Sequence, residues 1–416
     1  MLRPKNHIMN RLENWPEEAG KRFRKLAFSV QAVRSPTRFF FTVLILITIP
    51  AVRGVHMAFA ATAAGSLISM TALPGAPDGA SAYRVLYTST DLSGDLVPVS
   101  GVVIVPRGPV PPGGRPIVAW AHPTTGIVCR CAPSLARVFF ASVQGLNVML
   151  AHGYIVAATD YPGLGTPEVH PYLVGISEGR AVLDSVRVAQ QIPGADASHV
   201  FAVWGHSQGG HAALFAGLLA KQYAPELQLA GVAVAAPATD LAALMTDDLG
   251  TGGGNNITAM TLWSWSRIYN VSTSQVLTPE AASTIDRLAS ECIERWFDLL
   301  IRRSPTVALK KSFLRVHDLA AIEPWHQLLV QNTPGPLPQG VPVFVAQGTG
   351  DRLVQPAVTA AYVHALCRDG SKVVFDVLPG VGHAFIARDS ANAAIAWIAG
   401  RFDGKPAPSD CNHLVP

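Results

Sequence analysis

Charge is scarce in this chain. Only 14% of its 416 residues are Asp, Glu, Lys or Arg, and 32 basic residues stand against 28 acidic ones. No long run of one sign occurs outside the N-terminus, so nucleic acid is not expected as a partner. Cysteine is scarce as well. Five are present, and Cys129-Arg130-Cys131 lacks the second half of a zinc pattern. No metal and no cofactor is expected. An odd number suits two disulfides and one free thiol in an exported chain. Long apolar runs are lacking too. Phe39 to Pro50 offers twelve residues, short of the ~20 that a helix needs to cross a bilayer.

That short run follows a basic segment with Lys21, Arg22, Arg24, Lys25, Arg34 and Arg38, and Ala58-Phe59-Ala60 offers an A-x-A cleavage site. The pattern predicts a signal peptide cut near Ala60, hence a secreted or cell-surface protein, with an uncleaved N-terminal membrane anchor as the alternative. The domain plan follows the composition. Residues 1–60 are the basic segment and signal, 61–239 the first part of an α/β domain, 240–338 a helical insertion, and 339–416 the rest of the α/β domain.

From residue 80 strands and helices alternate. Tyr83–Thr88, Val97–Val105, Ile117–Ala121, Tyr154–Thr159, Val200–Trp204 and Gly231–Ala235 read as strands, with helices over 136–151, Ser177–Gln191 and His211–Ala220. Alternation of this kind predicts a mostly parallel sheet covered by helices. It stops between Asp240 and about Gly335, where Trp263, Trp265, Trp296, Phe297 and Trp325 gather among helical stretches. It resumes at Val343–Gln347, Pro356–Cys367, Val373–Leu378 and Ser390–Phe402. The interruption reads as a cap over a site on the sheet.

The chain is organised around Gly205-His206-Ser207-Gln208-Gly209, set between a strand and an Ala/Leu-rich helix. This is the G-x-S-x-G elbow, in which small residues flank a serine in a strained turn that lifts its hydroxyl above the sheet. A serine hydroxyl is a weak nucleophile and needs a base, which in turn needs an orienter. The chain order Ser, acid, His selects Asp351, after Gly348-Thr349-Gly350, and His383, after Gly380-Val381-Gly382. Asp240 is the alternative acid. Asp160 is read as fixing the Tyr161–Gly165 loop, and His206 and His211 lie too close to the serine in sequence to serve as its base. The backbone N–H groups of Gln208 and Thr124 are the candidate oxyanion donors. Pro123 stands where many hydrolases have glycine, which fixes φ near −65° without removing the Thr124 donor.

These motifs, with Ala119 to Gly126, Cys131-Ala132-Pro133-Ser134, Asp160 to Pro167, His170 to Gly175 and Gly348 to Asp351, resemble the secretory lipase family of α/β-hydrolases, which includes the fungal lipase A type and bacterial relatives. The resemblance runs from about Tyr83 to the C-terminus. It implies an α/β-hydrolase fold, a helical cap inserted before the acid, and hydrolysis of carboxylic esters, often triacylglycerols. It also implies transient contact of the cap with a lipid surface. Two disulfides are implied, Cys131 with Cys292 and Cys367 with Cys411, leaving Cys129 free; Cys129 is a rival partner for Cys292. An acyltransferase using the same triad and a catalytically silent lipid-binding protein are the alternatives. Competing alcohol acceptors and covalent labelling of Ser207 discriminate them.

Overall fold

A computed structural model describes residues 57–58, 63–247, 252–293 and 313–414. The basic segment and the apolar run, Phe39 to Pro50, lie outside these residues, as do residues 294–312 of the helical stretches expected around Pro279–Arg303 and Pro305–Leu319. Ten strands form one sheet: β1 (Met57–Ala58), β2 (Leu67–Ala72), β3 (Ala80–Thr90), β4 (Leu96–Pro106), β5 (Arg115–Ala121), β6 (Ile155–Thr159), β7 (Ala197–His206), β8 (Gln228–Ala235), β9 (Val343–Gly348) and β10 (Val373–Leu378). Their spatial order is β1-β2-β3-β4-β6-β5-β7-β8-β9-β10. The pairs from β1 to β4, and β4 with β6, are antiparallel; every pair from β6 onward is parallel. The chain therefore enters through an antiparallel meander and then builds a parallel α/β-hydrolase sheet.

The parallel strands are apolar on both faces because helices cover both. β6, Ile-Val-Ala-Ala-Thr, is buried throughout, and β9 likewise. On one face lie α3 (Gly175–Ala189) and α4 (Gln208–Tyr223), whose Ala181, Leu183, Ala212 and Leu214 share a core with Ile117, Val203 and Val345. On the other lies α10 (His383–Phe402), whose Ile395 and Trp397 pack with Trp120, Trp204 and Phe344.

Three features differ from the sequence expectation. β2 precedes the expected first strand. The helix expected over 136–151 is two short pieces, α1 (Phe139–Ser142) and α2 (Leu146–Ala151). Gly145 separates them at φ +79°, where a Cβ would lie 3.2 Å from Ile395 of α10. The helix expected over Ser390–Phe402 starts at His383, seven residues earlier.

Among the described residues no strand falls between β8 and β9. This insertion holds α5 (Leu241–Asp247), α6 (Gly252–Ile268), α7 (Pro279–Ala289) and α8 (Trp325–Gln331). Helix α7 shows why: Thr278 caps its N-terminus by accepting from Ala281 N–H, Pro279 follows at the first helical position, and Ala281, Thr284, Ile285 and Leu288 form one buried stripe. Trp263 of α6 donates from Nε1 to Asp286 of α7 at 2.9 Å, and Arg267 both stacks over Trp263 and pairs with Asp286. Trp265, Val276, Leu288, Phe313 and Trp325 are buried in the same apolar cluster as the α10 face of the sheet, so the insertion and the sheet share one core.

Two disulfides are present, Cys131–Cys292 and Cys367–Cys411, and Cys129 is exposed and free. The first joins the loop after β5 to the insertion. Beside it Ile293 N–H donates to the Thr125 carbonyl at 2.8 Å, and the Arg130 guanidinium donates to the Ser290 carbonyl. Gly126, at φ +124°, lies against this bridge, where a Cβ would sit 2.6 Å from Cys131 Sγ.

Candidate active site

Strand β7 ends at His206, and α4 begins at Gln208. Ser207 between them takes φ 58° and ψ −118°, a conformation costly for any side chain but glycine. The flanking glycines are required by contact rather than by φ. A Cβ on Gly205 would sit 2.1 Å from the Gly209 carbonyl oxygen, and one on Gly209 would sit 1.9 Å from that of Ala121. The elbow is thus pressed against its own helix and against the end of β5.

Three side chains form a continuous chain of hydrogen bonds. Ser207 Oγ lies 2.9 Å from His383 Nε2, and His383 Nδ1 lies 2.8 Å from Asp351 Oδ2. Asp351 sits in the turn after β9, with Oδ1 accepting from the N–H groups of Leu353 and Val354 at 2.9 Å each. Its Oδ2 also accepts from Gln347 Nε2 at 3.3 Å. Burial pushes the Asp351 carboxyl up, but the His383 charge and these donors outweigh it and hold the group below the usual carboxylate range. The arrangement can withdraw a proton from the serine and stabilise the imidazolium that results.

The other candidates fall elsewhere. Asp240 is exposed, and its Oδ1 accepts from Ala243 N–H at the start of α5, a helix cap. Asp160 is buried and accepts from Ser100 Oγ at 2.6 Å and from Ser134 N–H at 2.9 Å, tying together β4 and the Cys-Ala-Pro-Ser segment. Burial pushes its carboxyl up. His206 Nε2 donates to the carbonyl of His383 at 3.0 Å. Burial, and then the neighbouring His383 charge, push His206 down to about 3, so it is a neutral donor that fixes the backbone of His383.

Thr124 lies on the loop after β5. His122 Nδ1 donates to the Pro123 carbonyl at 2.7 Å, its Nε2 lies 3.3 Å from the Asp160 carbonyl, and burial lowers the pKa of this ring. The Pro123 carbonyl and the Thr124 N–H belong to one planar trans peptide and point opposite ways, so the His122 bond sets the direction of the donor. The Thr124 hydroxyl lies 2.9 Å from the Tyr172 hydroxyl. Tyr172 is gripped by α6, with Ser264 Oγ accepting from its N–H and Trp265 Nε1 donating to its carbonyl. Sequence patterns had not singled out His122, Tyr172, Gln347 or the role of His206.

A narrow pocket opens at Ser207 and Gln208. Tyr172, Leu173, Leu241, Leu244, Met245 and Ile257 line it, and its free volume is about 30 Å³. A larger cavity of about 270 Å³, bordered by Tyr83, Arg107, Arg115 and Asp196, opens where β5 begins. That is the opposite end of the parallel strands from Ser207, and ligands of open α/β sheets bind at the carboxyl ends. Among the described residues no group of three or more His, Cys, Asp and Glu side chains could hold a metal ion.

The family described as secretory lipase matches residues 141–410. Lipase 2 of Candida albicans is 27% identical over 360 residues, covering 81% of this chain and 76% of its own length. A probable inactive lipase of Mycobacterium tuberculosis is 24% identical over 350 residues, 79% of this chain and 75% of its own length. Among solved structures, Candida antarctica lipase A superposes with a TM-score of 0.71 at 19% identity, covering 85% of this chain and 88% of that one. The rice cell wall degrading esterase LipA of Xanthomonas oryzae gives 0.67 at 19% identity, covering 83% and 100%.

Proposed function

From its membership of the secretory lipase family, which makes the chain a carboxylic ester hydrolase, we propose that it cleaves lipid esters such as triacylglycerols through an acyl-enzyme on Ser207. His383 takes the Ser207 proton as Oγ attacks the ester carbonyl, and then delivers it to the departing alcohol. Asp351 holds the His383 tautomer and balances the imidazolium. The N–H groups of Gln208, at the start of α4, and of Thr124 receive the oxyanion, where the positive end of the helix adds to the field. Water activated by His383 then releases the acid.

The observation that carries this reading is the unbroken Ser207–His383–Asp351 hydrogen-bond chain, at 2.9 and 2.8 Å, beside an apolar pocket. It favours an active enzyme over a silent lipid binder, because a binder has no use for a base 2.9 Å from an elbow serine. The insertion, 240–338, acts as a cap. With about 30 Å³ free, the pocket holds little more than one or two waters, so acyl entry displaces α5, which contributes Leu241, Leu244 and Met245. Cap opening would present these side chains to a lipid surface. Two disulfides suit an exported chain, and a signal peptide cut near Ala60 would deliver it. Among the described residues no helix is long and apolar enough to cross a membrane.

Ser207→Ala and His383→Ala test the reading. Each is expected to lower ester hydrolysis by about four to six orders of magnitude with the fold retained, since half a nucleophile–base pair is worth little alone. A fluorophosphonate should label the wild type and not Ser207→Ala. Near wild-type turnover by either variant sinks the assignment.

A further inference from the structure

Behind the nucleophile lies a second set of polar side chains that the triad does not use. Glu178 of α3 is fully buried. Its Oε1 accepts from Gln208 Nε2 at 2.7 Å and from Leu173 N–H at 2.9 Å, and its Oε2 faces His211 Nδ1 at 2.9 Å. His211 Nε2 lies 2.7 Å from the carbonyl of Asn332, which can only accept, so Nε2 carries a proton. A further proton must lie between Nδ1 and Glu178 Oε2, since two lone pairs at that distance would repel. The pair is therefore neutral overall, either as imidazolium with carboxylate or as imidazole with carboxylic acid. Neutrality is what allows a carboxyl group to sit this deep.

Gln208 is pinned by the same logic. His170 Nδ1 donates to the Pro162 carbonyl at 2.8 Å, and burial pushes this ring down to about 4, so its Nε2 is a lone pair. That lone pair accepts from Gln208 Nε2 at 3.1 Å. Both amide hydrogens of Gln208 are thus committed, one to Glu178 and one to His170.

Glu178 Oε1 holds one residue with a strained backbone and the neighbour of another. Gln208 follows Ser207, which sits at φ 58°, and Leu173 itself sits at φ 54°. Neither Ser207 nor Leu173 is a glycine, so both conformations persist only where the surroundings enforce them. Ser207, Gln208 and Leu173 all line the pocket.

We propose that Glu178 is a positioning residue for the hydrolytic step. Through one carboxyl oxygen it fixes the elbow at Gln208 and the pocket wall at Leu173, and its other oxygen is held by His211. The proposal rests on the reading of Gln208 N–H as an oxyanion donor. An ester ground state sits in the same pocket but draws less on that donor than the tetrahedral oxyanion does, so misplacing the donor lowers kcat more than it raises KM.

The test uses the full chain and a short p-nitrophenyl ester. Glu178→Met deletes the acceptor at similar size, and kcat should fall about 10- to 100-fold with KM within about twofold. Glu178→Gln should recover most of the loss, since its Oε1 can still accept from Gln208 and Leu173 while its amide donates to His211 Nδ1. Gln208→Met keeps the backbone N–H but deletes the link, and should show the same loss in kcat; it carries the test should Glu178→Met fail to fold. Wild-type kcat in a folded Glu178→Met or Gln208→Met variant overturns the proposal. So does a Glu178→Gln variant as impaired as Glu178→Met. Ser207→Ala, run alongside, separates the two levels: an active Ser207→Ala overturns the triad and this proposal together, whereas an inactive one beside a fully active Glu178→Met overturns only the role of Glu178.

Discussion

Replacing Asp351 by Asn tests the acid of the triad with a change of one atom. In the wild type every contact of this carboxylate is a donor: Leu353 N–H and Val354 N–H on Oδ1, His383 Nδ1–H and Gln347 Nε2–H on Oδ2. An amide has one acceptor and one donor, so it must choose. With its NH₂ at the Oδ1 position it would face two backbone donors at 2.9 Å and leave both buried N–H groups unpaired. With its NH₂ at the Oδ2 position it loses only the longer Gln347 bond, provided His383 Nδ1 becomes an acceptor. The second arrangement costs less, and it moves the imidazole proton to Nε2. Ser207 Oγ, 2.9 Å away, then meets an N–H instead of a lone pair and has no base. The expected loss is about 10⁴ in kcat, as for the matching change in a well-studied triad protease, or about 5 kcal/mol of transition-state stabilisation. Asp240→Asn is the control. Asn caps a helix about as well as Asp, so its activity and stability should stay near wild type. The assay is steady-state release of p-nitrophenol from a short ester, with circular dichroism to confirm the fold. Asp351→Asn within about tenfold of wild type, or an Asp240→Asn variant more impaired than Asp351→Asn, would refute the reasoning.

Acid should destabilise the fold before it reaches ordinary carboxylate values. His206 and His170 are pushed by burial to about 3 and about 4, while the unfolded chain titrates histidine near 6.5. Between pH 6.5 and 4 the unfolded state therefore binds more protons at these two sites, and each removes about 1.4 kcal/mol of stability per pH unit as pH falls. Asp351, held below the usual carboxylate range, extends the loss to lower pH. Thermal unfolding followed from pH 7 to 4 should show a steadily falling Tm, and a flat profile would count against buried neutral histidines. The cap tether makes a separate prediction. Alkylation followed by non-reduced peptide mapping should recover Cys131 with Cys292, Cys367 with Cys411, and an alkylated Cys129. Opening the first bridge frees a 161-residue loop, which chain-entropy arguments value at about 5 kcal/mol, so Cys292→Ser should lower Tm by several degrees. An alkylated Cys292 in the wild type would remove the tether.

The hydrogen-bonded set of Ser207, His383 and Asp351 was legible because each member carries a local signal. The elbow needs Gly205 and Gly209, since their Cβ atoms would strike backbone at 2.1 and 1.9 Å, and close contact of that kind leaves a mark in sequence. Asp351 and His383 follow apolar strands and sit among glycines for a similar reason: a Cβ on Gly348 would lie 2.1 Å from the Val381 carbonyl oxygen, so the two turns press on each other. The parallel strands were legible as short apolar runs. What the pattern hid was local in a different sense. Gly145 breaks a helix that its neighbours support, and the break is set by α10, some 250 residues later in the chain. His383 opens α10 directly after Gly382, where a glycine-rich turn signals a loop and not a helix start.

The support behind the site was the least legible part, and the reason is physical. Glu178, His211, His170 and Gln208 are polar residues that, each taken singly, read as an exposed position or a satisfied core group. Their meaning lies in pairings across 30 to 38 residues, and in Asn332, more than 120 residues from His211. A buried polar group without partners costs free energy, so removing one member penalises the rest. The same condition links the insertion to the cluster behind Ser207. Asn332 follows α8, and its side chain accepts from Gly175 N–H at the start of α3 while donating to Tyr269 beyond α6. Its carbonyl accepts from His211 Nε2–H, on the ring whose Nδ1 faces Glu178. Seating of the segment after α8 and completion of the cluster behind Ser207 are therefore one structural condition.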